Sequence, residues 1–138
     1  MTAAHIPRPL QREVRLRAAE RCEYCRLHQA SQQATFHIDH IVPQARGGGT
    51  ESANLALSCV SCSLRKGART LATDPDTASE VPLYNPRSDR WDDHFEINAQ
   101  MRIVGRTAVG RATVEALKMN RPFSIAIRVE ESERGRFP

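Results

Sequence analysis

"FHIDHIVPQARGGGTESANL", residues Phe36–Leu55, sets an acid and an imidazole side by side in an apolar run that stops at Pro43 and a triple glycine. Residues from Thr35 to Val42 are rich in β-branched and apolar side chains, which predicts a strand. Pro43 and the stretch "QARGGGTES" end it in a loop, and Asn54 to Ser58 return as a second strand. Alternation along an ideal strand puts His37, Asp39 and Ile41 on one face and Phe36, Ile38 and His40 on the other. Asp39 and His40 therefore point apart unless the chain bends near Pro43, or unless their common target lies between them.

Working outward, the strands are flanked by "RCEYC" and "LSCVSC", two C-x-x-C pairs that use every cysteine of the chain: Cys22, Cys25, Cys59 and Cys62. Two such knuckles supply the four thiolates of a closed, tetrahedral structural zinc site. The 33 residues between Cys25 and Cys59 exceed the spacing of a simple zinc ribbon, so the strand–loop–strand element fills the gap. Residues 9–20 are predicted to be helical, with Pro9 near the start and Leu10, Val14 and Ala18 recurring every fourth position. "CSLRKGA" opens a short helix after the second knuckle, completing strand, loop, strand, helix.

At 138 residues, with 40% hydrophobic and 5% aromatic residues, the chain is expected to be a single domain with a modest core that gains from a metal staple. Residues 1–70 hold ten Lys/Arg against five Asp/Glu, and residues 71–138 hold ten against eleven. The net charge of +4 thus resides in the first half. Four thiolates on one zinc trim that half's surplus of five to about three. A positive surplus favours a polyanionic partner. No apolar run approaches the roughly 18 residues of a membrane span, and the N-terminus lacks a signal-peptide core, so a cytoplasmic protein is expected.

"DHIVPQARGGGTESANLALSCVSCSLRKG", Asp39–Gly67, resembles the HNH endonuclease family in its zinc-knuckle form. The shared pattern is Asp-His, a proline, a Gly-Gly loop, Asn-Leu, C-x-x-C and Lys-Gly, and the likeness covers residues 21–70. It implies an α+β fold: a small ββα-metal (HNH, His-Me finger) core over 21–70, stapled by the four-cysteine zinc site. An N-terminal helix would precede it and a C-terminal strand/helix extension over 71–138 would pack on it. "VPLYNPRSDRWDDHF" and "VGRTAVGRATVEALKMN" resemble an extension found in some bacterial members.

The resemblance implies metal-assisted hydrolysis of DNA phosphodiester bonds. His40 would be the general base, since imidazole titrates near neutrality. Asp39 would offer a hard oxygen to Mg2+ or Mn2+, and Asn54 would tie the loop to the strand and orient His40. Position 63, where the family holds Asn or His, is Ser63 here. Its hydroxyl is expected to reach the cation through a water. The alternative is a zinc-stabilised DNA-binding or protein-interaction module whose nuclease chemistry has lapsed at Ser63. A zinc deaminase is set aside: four thiolates close the metal shell, and no H-x-E motif is present.

His37, two residues before Asp39, is a further candidate ligand, against the simpler account of a solvent-facing histidine. Lys66, Arg65, Arg69 and Arg46, with Arg21 beyond them, are candidates for phosphate contacts on double-stranded DNA, against a merely solvated basic face. Scarce aromatic residues argue against stacking of unpaired bases, and a chain this small is expected to use a protein partner for targeting. "RWDDHF" reads as a turn entering one strand, "FEINAQMRIVG", rather than as a second metal site. Thr107 is placed to cap a helix bearing Val109, Thr113, Ala116 and Leu117. Phe123, Ala126 and Ile127 suggest a short last helix, and the charged tail "EESERGRFP" is expected to be disordered.

Overall fold

The computed structural model describes residues 5–138. Helix α1 (Arg8–Arg17) buries Val14 completely and leans Leu10 and Ala18 on the core. It ends three residues earlier than the periodicity predicts, because Ala19 and Glu20 take left-handed backbone conformations (φ 54° and 60°) that no α-helix continues. Arg17 clamps this helix to the chain around the start of the second strand: its guanidinium donates to the Ser52 carbonyl and hydroxyl at 3.2 and 2.8 Å and to the Leu55 carbonyl at 2.9 Å.

Strands β1 (His37–His40) and β2 (Leu55–Ser58) pair antiparallel, with His37 opposite Ser58 and His40 opposite Leu55. β2 is buried along its whole length, which makes it the spine of the core. The second knuckle runs directly into α2 (Val60–Lys66), whose N-cap is Cys59: its Sγ accepts the Cys62 N–H. The strand–loop–strand–helix order of the ββα fold is thus realised, in a small mixed α/β molecule with short antiparallel pairs and five α-helices among the described residues.

The second half departs from expectation in three places. "FEINAQMRIVG" is a hairpin rather than one strand: β5 (Phe95–Ile97) turns back into β6 (Ile103–Gly105). The Asn98 side chain closes that turn by accepting the Gln100 and Arg102 N–H groups, and Met101 takes φ 59°. "RWDDHF" folds as a one-turn helix, α3 (Trp91–His94), that sinks Trp91 into the core, with its indole N–H donating to the Tyr24 carbonyl at 2.8 Å. The charged tail is ordered. α5 (Pro122–Glu133) runs through much of it, Arg136 bonds to the buried Glu131, and Phe137 is 5% exposed. A further hairpin, β3 (Leu71–Thr73) with β4 (Glu80–Pro82), and α4 (Ala108–Ala116) complete the extension; Thr107 caps α4 by accepting the Gly110 N–H.

One hydrophobic cluster draws on both halves, joining Val14, Tyr24, Phe36 and Leu57 to Phe95 and Leu117. No helix among the described residues is long and apolar enough to cross a membrane.

Candidate active site

The four cysteines meet as their spacing predicts. All are buried, and their Sγ atoms lie within 4.8 Å of one another. Cys25 and Cys59, from different knuckles, have their sulfurs 3.7 Å apart, close to the roughly 3.8 Å edge of a tetrahedron with Zn–S bonds of about 2.3 Å. The Cys25 and Cys62 N–H groups each donate to the first sulfur of their own knuckle at 3.4 Å, a bond that favours thiolate. Burial opposes ionisation of Cys22, yet hydrogen bonds from Cys25, Cys59 and Cys62 hold its thiol well below the usual range. The bonds to Cys22 push Cys25 and Cys62 well above it. Four thiols packed this closely lose their protons together only around a cation, and the donor set fits zinc.

The knuckle fixes α2 against β1, and the two elements share a polar face. His37 Nδ1 lies 2.9 Å from Ser63 Oγ, joining the exposed start of the strand to the first turn of the helix. Asp39 is on the same face of β1 by alternation. Lys66, one turn after Ser63, agrees with that orientation: burial lowers its pKa, and the Asp39 carboxylate opposes the shift. Burial and then Asp39 likewise push the Tyr24 phenol well above its ordinary range.

His40 points the other way, into the loop. Its Nε2 is 2.8 Å from Thr50 Oγ1. Asn54 sets that loop through three bonds: Oδ1 accepts the Val42 N–H at 2.9 Å, and Nδ2 donates to the Val42 and Gly49 carbonyls at 3.0 and 2.9 Å. Only glycine fits at position 48, where a Cβ would stand 1.7 Å from the Val42 oxygen and 2.8 Å from Asn54 Nδ2. Gly47 turns the loop at φ 90°. Holding the Gly49 carbonyl places the next residue, Thr50, on the imidazole. Thr50 is the site residue that pattern reading missed; its position directly after the glycines was the one available signal.

With this geometry in view, the family model for HNH endonuclease matches residues 22–69. That segment is similar to the HNH family. No curated protein and no solved structure matches the chain.

The basic residues expected to meet phosphate divide into two groups. Arg46, Arg65 and Arg69 are exposed, and Arg46 Nε also donates to the Ala68 carbonyl at 3.2 Å, drawing the glycine loop toward the end of α2. Lys66 is not on that surface. It is 3% exposed, and its ammonium donates to the His40 carbonyl at 3.2 Å. Arg21 is also occupied, donating to the Arg26 carbonyl at 2.9 Å and the Arg136 carbonyl at 2.7 Å. Near the loop and α2, the HNH segment thus presents three arginines to solvent.

Proposed function

We propose that this protein is an HNH endonuclease that hydrolyses DNA phosphodiester bonds, with His40 as general base and a divalent cation, Mg2+ or Mn2+, held by Asp39 and Ser63. The reading rests on the His40–Thr50 bond. If Thr50 Oγ1 accepts the Nε2–H, the neutral tautomer leaves Nδ1 unprotonated and free to take a proton from water. The water oxygen then bonds to phosphorus, its proton passes to His40, and the P–O bond to the leaving sugar oxygen breaks.

A bound divalent cation supplies positive charge to the scissile phosphate and the leaving oxygen. Asp39 offers it a hard carboxylate and Ser63 a neutral hydroxyl, a donor set suited to Mg2+ or Mn2+. Because Asp39 and His40 diverge, the phosphate sits between them and is approached from two sides. Asn54 keeps the loop from carrying Thr50 away. Arg46, Arg65 and Arg69 neutralise flanking phosphates of a duplex, which makes binding weakly sequence-dependent and strongly salt-dependent. The zinc is structural and takes no part in the reaction.

The test is plasmid cleavage by zinc-loaded protein with added Mg2+ or Mn2+, beside His40→Ala prepared identically. Cleavage should fall about 10²–10⁴-fold in the variant. Plasmid bound but uncut by both proteins would replace this reading with that of a binding module.

A further inference from the structure

Ser63 leaves the proposed cation short of a side chain, since its hydroxyl is neutral and short. Resting on the nuclease reading above, we infer that His37 is a third ligand of that cation, its Nδ1 and Ser63 Oγ, bound directly and not through the water expected from the sequence, occupying adjacent coordination positions with Asp39 alongside.

Three observations carry the assignment. His37 Nδ1 and Ser63 Oγ are 2.9 Å apart, while neighbouring donors on an octahedral ion with bonds of about 2.1 Å are separated by about 3.0 Å. Asp39 follows His37 by two residues on one strand, so both side chains leave β1 on the face that α2 covers. His37 is exposed, so an ion and a phosphate can reach it. The His37–Ser63 pair is not needed to fasten α2 to the hairpin, because the four-cysteine cluster and the Lys66–His40 bond already do so. The family's Asn or His at the helix position is thus exchanged for a strand histidine and a helix serine acting together. An imidazole in the donor set shifts preference from Mg2+ toward Mn2+ and Co2+, which bind nitrogen more strongly.

The test is Mn2+ binding to the zinc-loaded full chain without DNA, read by electron paramagnetic resonance and by the nitrogen modulation of the electron spin echo. The wild type and His40→Gln should both show coupling to an imidazole nitrogen. His37→Gln should lose the coupling and bind Mn2+ at least about tenfold more weakly. Because His37 is exposed, the thermal transition of His37→Gln should match wild type, which separates ligand loss from misfolding. Mn2+ bound without nitrogen coupling in wild type, or unchanged affinity and coupling in His37→Gln, would overturn the assignment. Either result leaves the nuclease reading to its own plasmid assay, so failure of one is distinct from failure of the other.

Discussion

His40 Nε2 rests on Thr50 Oγ1 at 2.8 Å, so the proposed base is oriented by the residue directly after the glycine triplet. Thr50→Val preserves side-chain shape and removes the acceptor. We expect the single-turnover cleavage rate to fall about 10- to 100-fold, with Mn2+ affinity and thermal stability near wild type, and Thr50→Ser to recover most of the loss. An unchanged rate in Thr50→Val would remove Thr50 from the site.

Asn54 and Gly48 act one step further back. Asn54→Ala leaves the Val42 and Gly49 groups without their partner and should cost about 1–3 kcal/mol in denaturant unfolding, together with most cleavage. Gly48→Ala drives a methyl into the Val42 carbonyl, so the loop must open. Cleavage should vanish while Co2+ still gives the absorption of a tetrathiolate site, because the knuckles lie outside the loop.

How much of this was legible depends on the range of the interactions involved. The hairpin, both knuckles and the Thr107 cap are written in neighbouring residues, and each appears where local chemistry puts it. The split of "FEINAQMRIVG" was hidden because Asn98 closes the turn without a glycine or proline to mark it. The order of the tail depends on the Arg136 carbonyl, which accepts from Arg21 near the other end of the chain, and on Phe137, whose ring joins the main core. Lys66 looked like a surface charge because nothing local distinguishes a lysine that solvates a buried carbonyl from one that meets phosphate. His37 and Ser63, 26 positions apart, become neighbours only in the folded chain, where the cysteine cluster joins α2 to the rest of the core.

Removal of zinc should unfold the protein rather than merely silence it. Structural zinc contributes an apparent 10–16 kcal/mol in small domains, comparable to the whole stability of a typical domain. Chelation, or Cys59→Ser, should abolish the cooperative thermal transition followed by circular dichroism. A melting curve unchanged by chelator would show that the cysteine cluster is not a metal site.

Lys66→Met should separate stability from function. Burial holds the Lys66 pKa below its unfolded value of about 10.4, so folding disfavours the charged form. That penalty is fully present below the folded pKa and disappears as pH rises toward about 10.4. Lys66→Met should therefore melt higher than wild type at pH 7, with the gap narrowing as pH increases. Its cleavage rate should drop about tenfold, since the His40 carbonyl loses its donor. A variant that melts lower at pH 7 would show that the carbonyl bond outweighs the desolvation of the charge.

The seven residues of α2 carry a zinc ligand, the Ser63 hydroxyl and the Lys66 ammonium. A helix that short does not persist unaided, since isolated helices below about 12–15 residues are marginal in water. Without the ion, neither α2 nor the two-stranded hairpin that carries Asp39 and His40 has a partner that would hold it in place. On the proposed reading, synthesis alone would yield a polypeptide without its site, and metal loading rather than the supply of protein would set when that site is first complete.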